Sequence, residues 1–308
     1  MNTTIETHQL VKRYGRVTAV DGVSLRVERG EIYAFLGLNG AGKSTTIRLL
    51  LGMVKPTSGE AYVLGNLVRT GEQKSWGAIG YMVETPEAYS ELTVRENLEV
   101  MRRLRPGTQP KAVEDVIDRM GLNAYADRRT GTLSHGNAQR LGIAKALMHH
   151  PALLILDEPA NGLDPAGIVE IRNLLSELAR DQGVTVFMSS HILAEVSRLA
   201  QRIGIIHAGH LLQELDVDEL ERNRQHRLML RTRDCPAACA LLVSAGYSAE
   251  ITPDGIIQVL DQAAIERPDE LATKLVYAGH PPTLLEVEHE DLEHYFLRLI
   301  GMEGGVTQ

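Results

Sequence analysis

Gly37-Leu-Asn-Gly-Ala-Gly-Lys-Ser-Thr45 is the stretch on which the reading of this chain turns. Glu31-Ile-Tyr-Ala-Phe-Leu36 precedes it and has the pattern of a short buried strand. Thr46-Ile-Arg-Leu-Leu-Leu51 follows it as an apolar helical run that stops at Gly52. Strand, glycine-rich loop and helix, in that order, are the context a phosphate-binding loop requires. Gly37, Gly40 and Gly42 allow dihedrals and a close approach that a Cβ would obstruct. The amides of the loop, which contains Asn39 and closes at Thr45, face an anion together with the helix N-terminus. Lys43 is placed to reach the β- and γ-phosphates of a nucleoside triphosphate, and the Ser44 hydroxyl to ligate magnesium.

A second acidic signal lies downstream in Ala152-Leu-Leu-Ile-Leu-Asp-Glu-Pro159. The apolar run predicts a parallel strand buried on both faces. Asp157 then sits at its carboxyl end, where open α/β sheets place ligands. One carboxylate there suits the magnesium shell; its neighbour, Glu158, suits a water poised for in-line attack on the γ-phosphate.

Further motifs occur in a fixed order. Tyr14 stands in Lys-Arg-Tyr-Gly15, ahead of the phosphate loop. Leu133-Ser-His-Gly-Asn-Ala-Gln-Arg140 precedes Asp157 and Glu158. Asn161-Gly-Leu-Asp164 follows them, and a lone His191 comes after Val184-Thr-Val-Phe-Met-Ser-Ser190. Taken together, these resemble the nucleotide-binding subunit of an ABC transporter over about the first 215 residues, an ordered set more specific than any single motif. The resemblance implies ATP and Mg2+ as ligands. It implies that Tyr14 stacks on adenine, that Asp157 helps bind magnesium, that Glu158 is the catalytic base and that His191 contacts the γ-phosphate. Ser134 and Gly136 would cap the nucleotide of a second copy or a homologous ATPase subunit, and Asp164 would communicate across that interface. A multi-span membrane permease is the other implied partner, which places the chain at the cytoplasmic face of the membrane.

Two positions depart from the family pattern. The common Leu-Ser-Gly-Gly-Gln reads Leu-Ser-His-Gly-Asn here, with His135 and Asn137 substituted. Glu84, in Gly80-Tyr-Met-Val-Glu-Thr-Pro86, replaces the glutamine that joins magnesium to the transporter interface. Glutamate there, followed by Pro-x-x-Tyr and by Leu92-Thr-Val-Arg-Glu-Asn-Leu98, is similar to subunits that export, or give immunity to, bacitracin and lantibiotic peptides.

Composition narrows the class. The chain has 308 residues, 44% of them hydrophobic but only 4% aromatic, so its core is expected to be mainly aliphatic. No segment approaches the roughly 20 apolar residues of a membrane span. The start, Met1-Asn-Thr-Thr-Ile-Glu-Thr7, lacks the basic and apolar regions of a signal peptide. A net charge of −8 argues against a nucleic-acid footprint. Cys235 and Cys239, the only cysteines, are spaced as one helix face and read as reduced. His289 and His294 read as a solvated helix face.

Alternating strands and helices predict an α/β fold, a mainly parallel sheet covered by helices. Residues about 84–149 are expected to form a helical subdomain, with charged helices between Val94 and Met120. Asp164 followed by Pro165 predicts a capped helix start. Residues 1–215 are thus read as a P-loop ATP-binding domain, 216–225 as a linker and 226–308 as a small accessory domain. In the last, the order βαββαβ plus a helix predicts a ferredoxin-like arrangement without a catalytic constellation, suited to regulation or dimer support. An ATPase driving an exporter is the leading expectation. A soluble ABC ATPase of translation is disfavoured by the single phosphate loop. One of DNA maintenance is disfavoured by the short span from Ser44 to Leu133, and an importer subunit by Glu84. The transported compound is not encoded here, because in this architecture the permease recognises it.

Overall fold

The computed structural model describes residues 2–71, 76–84, 88–192, 196–290 and 292–301. Thr85 and Pro86 of the Glu84 stretch, Asp291 and the His294 side chain lie outside the described residues. The chain divides into two compact units, Met1–Val217 and Asp218–Gln308.

In the first unit the elements follow as β1 (Thr3–Tyr14), β2 (Val17–Val23), β3 (Arg26–Glu28), β4 (Ile32–Leu36), α1 (Lys43–Leu50), β5 (Ser58–Val63) and β6 (Asn66–Leu67). Next come β7 (Ile79–Met82), α2 (Val94–Leu104), α3 (Ala112–Arg119), α4 (His135–Leu147), β8 (Leu153–Leu156), α5 (Pro165–Gln182), β9 (Thr185–Ser190), β10 (Arg202–His207) and β11 (His210–Asp216). β1, β2, β3, β5 and β6 form an antiparallel sheet. The other six strands form a second sheet in the order β11-β10-β4-β9-β8-β7, parallel except for β11.

Every residue of β4, β8 and β9 is buried, the signature of parallel strands covered on both faces. The core is aliphatic around one aromatic centre, where Tyr33 stacks on Phe187 with centroids 5.5 Å apart. Register decides where the site falls. Leu36 pairs with Ser190, Met188 with Leu156, and Leu156 with Met82. The carboxyl ends of β4, β9, β8 and β7 therefore emerge side by side, and so do the segments that follow them.

Helix starts carry their own instructions. Thr93 and Glu96 close a reciprocal capping box on α2. Asp164 caps α5, with Pro165 in the first turn and Gly183 in the left-handed conformation at its end. α4 is brought against β7 at Gly80, where an added Cβ would fall 2.0 Å from the Ala146 carbonyl oxygen and 2.8 Å from Leu154 Cδ2.

The chain passes into the second unit through α6 (Val217–Asn223). There follow β12 (His226–Arg231), α7 (Cys235–Ser244), β13 (Ala249–Ile251), β14 (Ile257–Val259), α8 (Gln262–Glu266), α9 (Pro268–Tyr277), β15 (Leu284–His289) and α10 (Leu292–Leu299). Its sheet runs β13-β14-β12-β15 with every neighbouring pair antiparallel. Leu228, Leu230, Ile257 and Val259 turn to a core completed by Ala238, Leu242, Leu271 and Leu275. Both cysteines are free and lie on α7. One expectation is corrected: His289 ends a strand rather than lying on a helix face. It pairs with His226 across β12, the rings 4.4 Å apart. The short helix α8 is an addition to the order read from the sequence.

Because α4 and β7 touch backbone to backbone, Gly80→Ala is expected to cost about 1–3 kcal/mol by overpacking. Denaturant melting of the variant against the parent measures it.

Candidate nucleotide site

The phosphate loop leaves β4 at Gly37, whose amide donates to Ser190 O at 3.2 Å. Gly42, the residue before α1, has φ 110°, and a Cβ on it would fall 2.4 Å from Ala19 O of β2. Only glycine meets both demands. The first intrahelical bond runs from Thr46 N to Gly42 O at 2.9 Å. The amides before Thr46, including those of Lys43, Ser44 and Thr45, therefore point out of the helix end. Asn39 and Gly40 are exposed at the tip of the loop.

Lys43 is 6% exposed and curls back into the loop. Its ammonium donates to Gly37 O at 2.7 Å and lies 3.2 Å from Glu158 Oε1. The other Glu158 oxygen, Oε2, is 2.6 Å from His191 Nδ1. Residues 43, 158 and 191, far apart in sequence, thus meet on one carboxylate.

The backbone beneath that carboxylate is held from both sides. Glu158 has φ 49°, a left-handed conformation that costs a non-glycine residue about 1–3 kcal/mol. Its amide donates to Ser189 Oγ at 2.9 Å. The Gln139 side-chain amide donates to Glu158 O at 3.0 Å and Pro159 O at 3.1 Å. Ser189 Oγ in turn donates to Asp157 Oδ1 at 2.5 Å. Asp157 is 4% exposed, and its own amide donates to Met82 O at 2.7 Å.

These groups fit a magnesium nucleotide. Outward amides and an ammonium suit a polyphosphate. The Ser44 hydroxyl and the Asp157 carboxylate are oxygen donors of the kind Mg2+ prefers, with substrate phosphates and water completing its shell. Among the described residues no three His, Cys, Asp or Glu side chains cluster to hold a metal on their own. Glu84, beyond the end of β7, has its partner outside this set. It is exposed, has φ 58°, and its carboxylate is paired with Arg48 of α1.

The remaining sequence candidates fall into two places. Tyr14 ends β1, is 45% exposed, and has Lys12 Nζ 4.8 Å from its ring centre. Its hairpin partner β2 is the strand that abuts Gly42. Ser134 caps α4, accepting from Asn137 N at 3.3 Å. Within this chain the start of α4 meets the segment 161–164. A Cβ on Gly136 would lie 3.5 Å from Gly162 O, and one on Gly162 would overlap the His135 ring. The Asp164 carboxylate accepts from Gly167 N at 3.0 Å, capping α5.

Sequence reasoning missed Ser189 and Arg48. Ser189 had a signal: a polar residue inside a fully buried strand needs a partner. Arg48 had none, since its contact is made only in the fold.

A P-loop fold with this edge defines an ABC-type ATPase, and comparison with known proteins agrees. The ABC transporter family model matches residues 20–161. The bacitracin transport ATP-binding protein BcrA of Bacillus licheniformis is 40% identical over 303 residues, covering 98% of each chain. The lantibiotic transport ATP-binding protein SrtF of Streptococcus pyogenes is 38% identical over 217 residues, 70% of this chain and 93% of that one. A dimeric bacterial ABC transporter cassette superposes with a TM-score of 0.64 at 25% identity, over 69% of this chain and 98% of the cassette. The chain belongs to the ABC transporter family, as an ATP-binding subunit with ATPase activity.

Ser189→Ala would leave the Glu158 amide and an Asp157 oxygen without their shared partner. A stability loss of about 1–3 kcal/mol is expected. Hydrolysis is expected to fall more than ATP affinity, as read by denaturant melting, phosphate release and nucleotide binding.

Proposed function

We propose that this chain powers a membrane exporter of a peptide antibiotic, or of a drug or lipid-like compound, from the cytoplasmic face of the membrane. The observation that carries it is the meeting of Lys43, Glu158 and His191 at the strand edge. The likeness to a bacitracin transport subunit over 98% of the chain supports the cargo class. Among the described residues no helix is long and apolar enough to cross a membrane, so passage of the cargo is assigned to a multi-span permease.

In this reading the Lys43–Glu158 pair is the resting partner of each group. Phosphate oxygens compete for the Lys43 ammonium, which releases Glu158 Oε1 to accept a proton from the attacking water. His191, on the other carboxylate oxygen, sets the orientation of the base. Bound Mg2+, held by Ser44 and Asp157, would neutralise charge on the β- and γ-phosphates. The Tyr14 ring offers an exposed face for adenine. Ser134 and Gly136 serve the nucleotide of a second subunit, which makes the active unit a dimer. The permease docks in a groove of about 390 Å3 lined by Met53, Tyr81, Glu84, Met101, Arg105 and Lys145. The second unit is assigned as a ferredoxin-like accessory domain that supports dimerisation or regulation.

Glu158→Gln is expected to retain ATP binding while hydrolysis drops by about two to four orders of magnitude, because the proton acceptor is lost and the phosphate cradle stays. Lys43→Ala is expected to lose nucleotide binding itself. Phosphate release and equilibrium binding on the purified variants separate the two; a Glu158→Gln enzyme hydrolysing near the parent rate removes Glu158 from the role. Co-purification with a multi-span protein, and loss of peptide-antibiotic resistance in cells carrying only Glu158→Gln, test the exporter.

A further inference from the structure

Each carboxylate at the strand edge has a partner of its own. Asp157 accepts from Ser189, and Glu158 meets Lys43 and His191. Glu84 is paired with Arg48, which lies outside the phosphate loop. Arg48 follows Ser44 by four residues on α1, so the two side chains share a helix face. Glu84 lies two residues beyond Met82, whose carbonyl accepts the Asp157 amide at 2.7 Å. The ion pair thus ties α1, which carries Ser44 in its first turn, to the segment that leaves β7 beside Asp157. Glu84 also keeps a left-handed backbone, φ 58°, which a glutamate holds only where its surroundings fix it.

The charge at this edge makes the pairing consequential. Lys43 is buried and already engages Glu158, so it is not free to offset a third carboxylate. An unpaired Glu84 would add a full negative charge to the strand edge on which the polyphosphate is proposed to bind. We propose that Arg48 is a positioning residue for Glu84: its guanidinium sets where that carboxylate points and cancels the charge it would present to a bound nucleotide. The proposal rests on the nucleotide-site reading above. The pair itself is largely exposed, with side chains 31% and 61% accessible, so it contributes little to folding and can be removed without unfolding the chain.

The test is the affinity of the full-length protein for a fluorescent ATP analogue in the presence of EDTA, with no divalent metal bound. Four proteins form a cycle: parent, Arg48→Ala, Glu84→Gln and the double variant. Arg48→Ala is expected to weaken binding about three- to tenfold, as one uncompensated charge near the phosphates would. Arg48→Lys is expected to retain most of the affinity. The double variant is expected to bind within about twofold of Glu84→Gln alone, because no charge remains to be cancelled. Melting temperatures are read alongside. Rescue of affinity by Glu84→Gln, whatever the melting temperature does, marks an electrostatic role. An equal loss from Arg48→Ala in both backgrounds, or no loss in the parent background, would overturn the proposal. A parent that binds no ATP analogue even with magnesium would overturn the nucleotide-site reading as well.

Discussion

The Glu158 carboxylate, 3.2 Å from Lys43 and 2.6 Å from His191, is the contact on which the rest of the site depends. Its position follows from the sheet. Parallel strands must all end on one edge, and the order β4-β9-β8-β7 puts the phosphate loop, His191, Asp157 with Glu158, and Glu84 there in neighbouring places. Burial of β4, β8 and β9 on both faces forbids a slip in register. The edge is therefore as rigid as the core beneath it. The left-handed backbone of Glu158 is a local cost, met by the Ser189 hydroxyl on one side and the Gln139 amide on the other. In the proposed role of base, a carboxylate held this way would lose little freedom.

Carboxylates along one strand edge would repel a polyphosphate, and the fold gives each of these three a separate partner. Asp157 is stabilised by a hydroxyl, Glu158 by a buried ammonium and an imidazole, and Glu84 by an exposed guanidinium. The three arrangements differ in how easily they open. A hydrogen bond in the core stays closed. A buried Lys43 has both a carbonyl and Glu158 to leave, and exchanges them only for a comparable anion. The exposed Arg48 pair is screened by water and salt, and is the one most readily exchanged.

The elements around the phosphate loop were legible because local and global signals agree there. Residues 31–36 and 46–51 announce a strand and a helix, and the structure places them at 32–36 and 43–50. The Asp164-Pro165 helix start was legible for the same reason, since a cap is chemistry between neighbours. What sequence could not show was contact made at a distance. Arg48 looks like any basic residue on an amphipathic helix until β7 brings Glu84 to it. His289, read with His294 as a solvated helix face, is made a strand residue facing His226 by its pairing with β12. α8, a helix of five residues, is too short to display a period.

The altered signature has a physical counterpart in the same chain. Ser134 still caps α4 through the Asn137 amide, a backbone donor that asks nothing of the side chain at 137. Position 135 is different, because its imidazole lies over Gly162, close enough that a Cβ there would come within 1.8 Å of His135 Cδ2. A glycine at 135 would leave that surface open, whereas histidine fills it and packs the start of α4 onto the segment 161–164. That segment ends in Asp164, the cap of α5, and it begins three residues after Glu158, whose carbonyl accepts from Asn161 N at 3.1 Å. The side chain that departs from the common signature therefore joins the signature to the loop between β8 and α5. His135 thus supplies, at the start of α4, a side-chain contact with that loop that a glycine could not make.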